Sequence, residues 1–300
     1  MRLASSVRRV GATHPPADAE REWDRFVSEC PGGDLVQASC WGRFKRAVGQ
    51  DARLVTLRAA SGEVVGGAQI VLSRPAPGLA AGYVARGPVL RPGCAEAAGA
   101  LVDAVLSAVR SAGVRALIVQ PPEGAAAVVA ALDERDFGSG CPAVAPEATI
   151  RIDPRLPDGE LLEGMSRMRR RNLRKPVPPG LSIELAEDVE AFQRLHAATA
   201  ERQGFRAFDP ASLRAQWGAL APEGRCAIMM ARQDGVPVAA AWFTRFAGTI
   251  TYKMAGWDAA LAERLGAGRH VNELLHWESF RWARESGAVR VDLGGLARDV

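Results

Sequence analysis

The feature that most constrains the fold is an internal repeat with a very long period. Each copy contains an alternating apolar hairpin, then a helix that leads through a glycine turn into another strand. The turns lie at Gly62 and Gly113 in the first copy, and at Gly235 and Gly287 in the second. The paired glycines are 173 and 174 residues apart. A repeat of this length predicts a duplicated domain and not a solenoid.

The pattern within each copy predicts the fold class. Two helices, antiparallel strands, another helix and a final strand are typical of an α/β protein, here a mixed α+β sandwich. Three hundred residues suit two domains of ordinary size. A proline-rich strip over 142–146 and an alternating strand over 148–152 place the boundary between domains 1–150 and 151–300. Two such copies facing a shared cleft would create a favoured place for a ligand.

Composition sets the class of protein. A hydrophobic content of 48% with 24% charged residues is typical of a globular chain. The net charge of +4 tolerates a polyanionic partner without requiring one. The five cysteines and four histidines show no metal-ligand spacing, so neither a metal site nor a disulfide framework is expected. No apolar run approaches the ~18 residues of a membrane span. We therefore expect a cytoplasmic protein without an integral membrane segment, and a monomer.

A strongly basic segment opens the second half. Residues 160–175 predict one continuous helix. Its apolar positions are Leu161, Leu162, Met165, Met168 and Leu173. Helical spacing places four of its cations on the opposite side, and these are Arg167, Arg170, Arg171 and Arg174. Such a surface is either solvated or a set of contacts to nucleic-acid phosphates.

Seven segments in order resemble the Fem family of non-ribosomal peptidyltransferases, which carry two copies of an acetyltransferase-like (GNAT-type) fold. One of them, Gln37-Ala-Ser-Cys-Trp-Gly-Arg-Phe-Lys45, is similar to the family's early Gln-Ser-x-x-Trp-x-x-x-Lys motif. A second, 83–89, is similar to Tyr-x-Pro-Arg-Gly-Pro-Val. The others are 168–175, 199–205, 252–256, 272–278 and 291–295.

The resemblance implies an aminoacyltransferase. The amino acid would move from an aminoacyl-tRNA, as co-substrate and with no other cofactor, to an amine of a peptide acceptor. That acceptor would be a nucleotide- or lipid-linked peptidoglycan precursor or a peptide natural product. Lys45 and Arg202 would contact its phosphates from one cleft. Trp41, Arg86 and Asn272 complete the acceptor set.

The remaining roles follow from the same resemblance. Tyr252 lines the cleft and is a catalytic candidate together with Asp292, which either acts on the amine or holds a loop. The four-arginine surface of the basic helix would contact tRNA. Positioning and stabilisation of the oxyanion would supply most of the rate, because the tRNA ester is already activated.

Two other functions stay open. An acyl-CoA N-acyltransferase on the same fold is one, but its Arg/Gln-x-x-Gly-x-Gly/Ala loop is missing at any strand-to-helix junction. A non-catalytic duplicate that binds an anionic ligand or a partner is the other, because the family's closing Phe-Lys motif has no counterpart up to Val300.

Overall fold

The structure, a computed structural model, describes residues 3–9, 18–76, 78–140, 145–146, 148–268 and 270–295. The chain divides into two compact units, residues 1–147 and 148–300.

Unit 1 contains a mixed sheet with the strand order β1-β2-β3-β4-β6, and β5 adds to β3. All pairs are antiparallel except β4 and β6, which are parallel. The elements of unit 1 are β1 (Leu3–Arg9), α1 (Asp18–Glu29), α2 (Ser39–Ala47), β2 (Asp51–Ala59), β3 (Val64–Ala76), β4 (Leu79–Ala85), β5 (Val89–Leu90), α3 (Ala98–Ser111), β6 (Ala116–Gln120) and α4 (Ala126–Asp133).

Unit 2 contains a second mixed sheet, with the strand order β7-β12-β11-β10-β9-β8. Only the pair of β11 and β12 is parallel. The elements of unit 2 are β7 (Thr149–Ile152), α5 (Asp158–Glu163), α6 (Arg167–Leu173), β8 (Leu181–Ala186), α7 (Val189–Gln203), α8 (Pro210–Leu220), β9 (Cys226–Gln233), β10 (Val236–Phe246), β11 (Thr249–Trp257), α9 (Ala259–Arg264), α10 (Val271–Glu285) and β12 (Arg290–Gly295).

The two sheets have the same connectivity. Strands β8, β9, β10, β11 and β12 occupy the places of β1, β2, β3, β4 and β6, and in each unit the parallel pair follows the hairpin. Gly62 and Gly235 both lie in the hairpin turn, with φ of 87° and 80°. Gly113 and Gly287 both lie between the long helix and the parallel strand, with φ of 69° and 74°. These left-handed conformations favour glycine. The mixed α/β fold and the predicted equivalence of the glycine turns are confirmed.

One long helix covers the corresponding sheet face in each unit. In unit 1, Val105 and Val109 of α3 pack with Ile70 and Val84 of the sheet. In unit 2, Val271, Leu275 and Phe280 of α10 join the cluster that contains Phe243 and Ile250. In each unit, the apolar face of this helix therefore forms part of that unit's own core.

The prediction of one helix over 160–175 is wrong. The segment forms α5 and α6, which are separated at 164–166, where Gly164 ends the first helix. The hydroxyl of Ser166 caps the second by accepting from the backbone N–H of Arg169. Glycine is a poor helix former and serine a good N-cap, so the break is local in origin. It resets the helical phase, so Met168, predicted to face the core, is 61% exposed.

Strand β7 joins a strand that is distant in sequence. Its Thr149 hydroxyl lies 2.5 Å from Asp292 Oδ1 and donates to the Gly294 carbonyl at 2.7 Å. Asp292 Oδ1 also accepts from the Gly294 N–H at 2.9 Å. The pairing of β7 with β12 shifts register between Asp292 and Gly295, so the carboxylate satisfies backbone and hydroxyl donors at an irregular strand end.

Candidate functional site

Helix α2 is fixed by buried polar contacts. Asp24 accepts from both the backbone N–H and the hydroxyl of Ser39, at 2.7 and 2.6 Å. Arg43 and Glu20 form a buried ion pair at 3.0 Å. Because a buried charge is tolerated only when it is paired and hydrogen-bonded, these contacts define the position of the helix closely.

Lys45 lies in the last turn of this anchored helix. Its Nζ is 5.1 Å from the centroid of the Trp41 ring and 5.0 Å from that of Phe44. Burial lowers the pKa of the ammonium. Within the described ranges, no carboxylate or other hydrogen-bonding group reaches Nζ. A cation that is partly dehydrated and rests only on aromatic faces can accept an external anion.

Gln37 joins the two motif segments of unit 1. Its buried side chain donates to the Ala85 carbonyl at 2.6 Å and accepts from the Gln69 N–H at 2.7 Å. A Cβ at Gly87 would lie 2.7 Å from Gln37 Nε2, so a larger residue there would displace the hydrogen-bonded Gln37 amide. The glutamine of the first motif therefore has a structural role: it fixes the end of β4 beside α2.

Arg86 follows β4 directly and has a positive φ of 52°. Its guanidinium donates to the carbonyl of Pro146. Gln120 holds the same strip through Ala145, donating to its carbonyl at 2.8 Å and accepting from its N–H at 2.7 Å. Arg86 is thus engaged with the proline-rich strip.

Arg202 lies in the last turn of α7. Its guanidinium carbon is 4.5 Å from the centroid of the Trp257 ring. The ring is held by its backbone, since the Trp257 N–H donates to the Thr199 hydroxyl at 2.7 Å. In the part of the chain that the structure describes, no carboxylate pairs with this exposed guanidinium. Arg202 therefore resembles Lys45 in lying against an indole ring, although Arg202 is exposed and Lys45 is partly buried.

Tyr252 on β11 is packed against His276 of α10. Their ring centroids are 4.9 Å apart, and Phe243 lies 5.8 Å from Tyr252 on another side. Burial raises the pKa of the Tyr252 phenol. Burial, and then the Arg169 guanidinium, lower the pKa of His276 to about 4, although Glu273 opposes the shift. At neutral pH the phenol is protonated and the imidazole is uncharged.

The grouping of Tyr252 with His276 and Glu273 is not evident from the sequence pattern alone. Asn172 of α6 donates to Glu273 of α10 at 3.1 Å, which ties the two helices together beside His276. The spacing of Glu273 and His276, one helical turn apart, was the available signal. Their approach to Tyr252 depends on the packing of α10 against the sheet, which the sequence does not reveal directly.

The other predicted residues of unit 2 have different environments. The contacts of Asp292 with Thr149 and Gly294 match the role of holding a loop, and Arg151 lies 4.0 Å from its second oxygen. Asn272 is partly exposed in the first turn of α10, and no side-chain hydrogen bond to it occurs within the described ranges. A catalytic role for Asp292 and an acceptor role for Asn272 remain predictions.

The basic helix presents only part of its predicted arginine surface. Arg167, Arg171 and Arg174 are exposed. Arg170 instead turns back and donates to the carbonyls of Glu163 and Met165, at 3.1 and 2.7 Å. The broken helix explains the difference, because the end of α5 leaves carbonyls that the Arg170 guanidinium satisfies.

Two further observations limit the chemistry of the described residues. Nowhere in them do three or more His, Cys, Asp or Glu side chains converge as a set of metal ligands. None of their helices combines the length and the apolar character that crossing a bilayer requires.

Comparison with known proteins shows similarity to two family models. The FemAB family model matches residues 19–130, and an acetyltransferase (GNAT) domain model matches residues 164–299. The first match contains the Gln37–Lys45 motif and the second contains the closing segments around Tyr252 and Asp292. Together the two matches support a Fem-family protein with a GNAT-like fold.

A curated relative of this chain is the lipid II:glycine glycyltransferase of Staphylococcus aureus. The two are 26% identical over 227 residues, which cover 71% of this chain and 54% of the relative. The chain thus spans about half the length of the curated relatives that it matches.

Solved structures agree with the fold. A crystal structure of FemX matches this chain with a TM-score of 0.80 and 20% identity, covering 100% of this chain and 90% of FemX. A tandem GNAT protein from the clavulanic acid biosynthesis pathway matches with a TM-score of 0.52 and 15% identity, covering 99% and 91%. The two units are GNAT-like domains.

Proposed function

We propose that the protein is an aminoacyltransferase that attaches an amino acid to the peptide of a peptidoglycan precursor. The match of residues 19–130 to the FemAB family model supports this, as does the name of the Staphylococcus aureus relative, lipid II:glycine glycyltransferase. The observation that carries the proposal is Lys45, a partly buried ammonium over Trp41 without a carboxylate partner in the described residues. A folded protein keeps such a dehydrated cation at a cost, and an anionic ligand would offset that cost.

The acceptor is proposed to carry phosphate. Lys45 and Arg202 would each bind one of its phosphate oxygens, and Arg202 has the fork of donors that suits phosphate geometry. A nucleotide-linked or lipid-linked muropeptide supplies such phosphates next to the peptide that receives the amino acid.

The amino-acid donor is proposed to be an aminoacyl-tRNA. The acceptor amine, in its neutral form, attacks the ester carbonyl. The tetrahedral intermediate then collapses to an amide, and the terminal hydroxyl of the tRNA leaves with a proton. The amine's other proton stays on the nitrogen of the new amide. No further cofactor is required, because the ester is already activated.

Tyr252 is proposed to stabilise the oxyanion of that intermediate. Burial raises the pKa of its phenol, so the hydroxyl stays protonated and can donate a hydrogen bond. Nothing in the described ranges hydrogen-bonds to this hydroxyl, so it is available to a substrate. Asp292 is assigned to holding β12 in place, because Thr149 and Gly294 occupy its Oδ1 atom.

The test is direct formation of the amide. The protein is incubated with a pool of charged tRNAs and either a nucleotide-linked or a lipid-linked muropeptide, and the acceptor mass is measured. We expect a mass increase of one or more amino-acid residues that ribonuclease treatment of the donor abolishes. Lys45→Ala should weaken the reaction more than Lys45→Arg, which keeps the charge. An unchanged acceptor with every charged tRNA, together with acyl transfer from an acyl-CoA, would overturn the proposal.

A further inference from the structure

One surface of unit 2 is not explained by the transfer chemistry. It is the segment 166–177, formed by α6 and the turn that follows, and we call it the α6 surface. The segment holds six basic residues and no acidic residue. It includes Arg167, Arg169, Arg170, Arg171, Arg174 and Lys175.

The cations of the α6 surface differ from several other arginines of the chain in having no carboxylate partner among the described residues. Arginines such as Arg43, Arg58, Arg135 and Arg284 pair with carboxylates. On the α6 surface, no ion pair with a carboxylate is present among the described residues. Only Arg170 is used internally, through the two carbonyls at the end of α5. The positive charge is therefore exposed and uncompensated.

The same surface carries exposed apolar side chains. Met168 is 61% exposed and Val177 is 58% exposed, and these are the two highest values among the exposed large hydrophobic residues of the described chain. Isolated exposed hydrophobic residues are ordinary, but here both lie within the densest run of cations. Cations around apolar side chains are the composition of segments that rest at a lipid–water interface.

Contacts with neighbouring helices also hold the α6 surface in place. Ser166 caps the helix, Arg170 ties it to α5, and Asn172 ties it to Glu273 of α10. Leu173 is half-buried beneath it. The outward residues are therefore presented by a fixed backbone and do not depend on folding at the surface.

We propose that the α6 surface docks the protein on an anionic phospholipid bilayer. The cations would attract the headgroup phosphates, and Met168 and Val177 would enter the headgroup layer. An RNA contact uses the cations alone, since a thioether and an isopropyl group gain nothing from phosphates. Docking on a bilayer thus accounts for both the cations and the exposed apolar side chains. Given the proposed function, on which this last step rests, docking selects a lipid-linked acceptor over a nucleotide-linked one.

The experiment is co-sedimentation of the full chain with vesicles. One set contains phosphatidylcholine alone, and the other contains equal parts of phosphatidylcholine and phosphatidylglycerol. Three variants are compared with the unaltered protein: Arg171→Gln with Arg174→Gln, Met168→Ser with Val177→Ser, and a control pair from unit 1, Arg115→Gln with Val129→Ser. The control residues are likewise exposed.

We expect binding to the anionic vesicles only. Loss of two cations should weaken it on the order of twenty-fold, since each cation near the surface contributes a factor of about five. Loss of the two apolar side chains should weaken it on the order of tenfold. The control pair should bind as the unaltered protein does.

Parallel measurement of binding to deacylated tRNA separates the two occupants. If the arginine pair loses tRNA binding while the methionine–valine pair keeps vesicle binding, the α6 surface is an RNA contact and the proposal fails. It also fails if neither pair changes vesicle binding. Sedimentation requires no charged tRNA and no turnover. A failure of membrane docking can therefore be distinguished from a failure of the proposed transfer reaction.

Discussion

At the scale of single residues, the most informative feature is a cation supported by a tryptophan. Lys45 lies over Trp41 in unit 1, and Arg202 lies over Trp257 in unit 2. An indole face attracts a cation by about 0.5–1 kcal/mol at exposed sites without neutralising it. A carboxylate would have cancelled the charge. These positions therefore fix a cation in space and leave its full charge to an incoming anion.

We expect Lys45→Ala and Arg202→Ala each to raise the Michaelis constant for the acceptor more than they lower turnover. Each variant loses a charge-assisted contact that contributes about 1.5–3 kcal/mol. Steady-state kinetics with a purified acceptor checks this. Arg214→Ala, which alters an exposed arginine of α8, is the control and should change neither constant. A loss of turnover at an unchanged Michaelis constant would contradict a binding role.

His276 predicts a pH dependence of stability. Its pKa is lowered to about 4 in the folded protein, mainly by burial, from an ordinary value of 6.5. The unfolded chain therefore binds the proton more readily, and the free energy of unfolding should fall as the pH drops from 6.5 towards 4. Between pH 7 and pH 5 the loss from this group is about 2 kcal/mol.

Denaturant unfolding of the protein and of His276→Gln at both pH values isolates this effect. Glutamine does not titrate, so the variant should lose less stability on acidification than the unaltered protein. Equal losses in the two proteins would show that His276 is not held neutral by its surroundings.

At the scale of elements, the position of α7 depends on one glycine of β11. A Cβ at Gly256 would lie 2.4 Å from the backbone nitrogen of His196 and 2.6 Å from the carbonyl carbon of Leu195. The contact is between backbones, so no side chain can rotate away. Because α7 carries Arg202 and β11 carries Trp257, this close approach sets the distance between the cation and its ring.

Gly256→Ala should therefore destabilise unit 2 and separate Arg202 from Trp257. Overpacking of this kind typically costs about 1–3 kcal/mol. Gly218→Ala is a matched control in α8, where nothing lies within 4 Å of the added Cβ and alanine is the better helix former. Urea unfolding should show a loss for the first variant and none for the second. Equal midpoints would show that α7 is not held by this contact.

At the scale of the whole molecule, the chain consists of two units with one connectivity. Each has a hairpin turn with a left-handed glycine, a long helix over the sheet and a parallel strand after it. The cores are separate clusters of residues. Equivalent substitutions in the two hairpin turns should therefore change the free energy of unfolding by similar amounts.

Gly62→Ala and Gly235→Ala test this equivalence. Neither added Cβ has a neighbour within 4 Å, so the only cost is the left-handed backbone, about 1 kcal/mol in each case. The two costs should be additive in the double variant, because each turn belongs to a separate compact unit with its own core. Gly159→Ala, with an ordinary φ and open space, should cost nothing. Strongly unequal losses in equilibrium unfolding would contradict the equivalence.

Local patterns in the sequence were sufficient for much of this architecture. The sequence alone predicts the hairpins around Gly62 and Gly235, the long helices and the family motifs at Lys45 and Tyr252. What failed was the phase of the basic helix, where Gly164 and Ser166 outweigh an otherwise continuous pattern. A periodic pattern identifies a helix more reliably than it locates a break.

Contacts between residues that are distant in the sequence are the second feature that the sequence pattern does not predict. Gln37 meets Ala85, and Tyr252 meets His276, only because strands and helices pack in a particular order. Asp292 is a similar case, because its partner Thr149 lies 143 residues away. The sequence indicates which side chains carry chemistry, and the packing decides which of them are already occupied.

The separation of β7 and β12 in the sequence affects how unit 2 folds during synthesis. Strand β7 leaves the ribosome long before β12, and at about 5–20 residues per second the interval is on the order of ten seconds. Unit 1 can close its sheet within that interval, since β6 ends at Gln120. Strand β7 must meanwhile stay unpaired on its β12 side, where a free backbone edge invites mispairing. Translation speed over 153–289 should therefore influence the yield of folded protein.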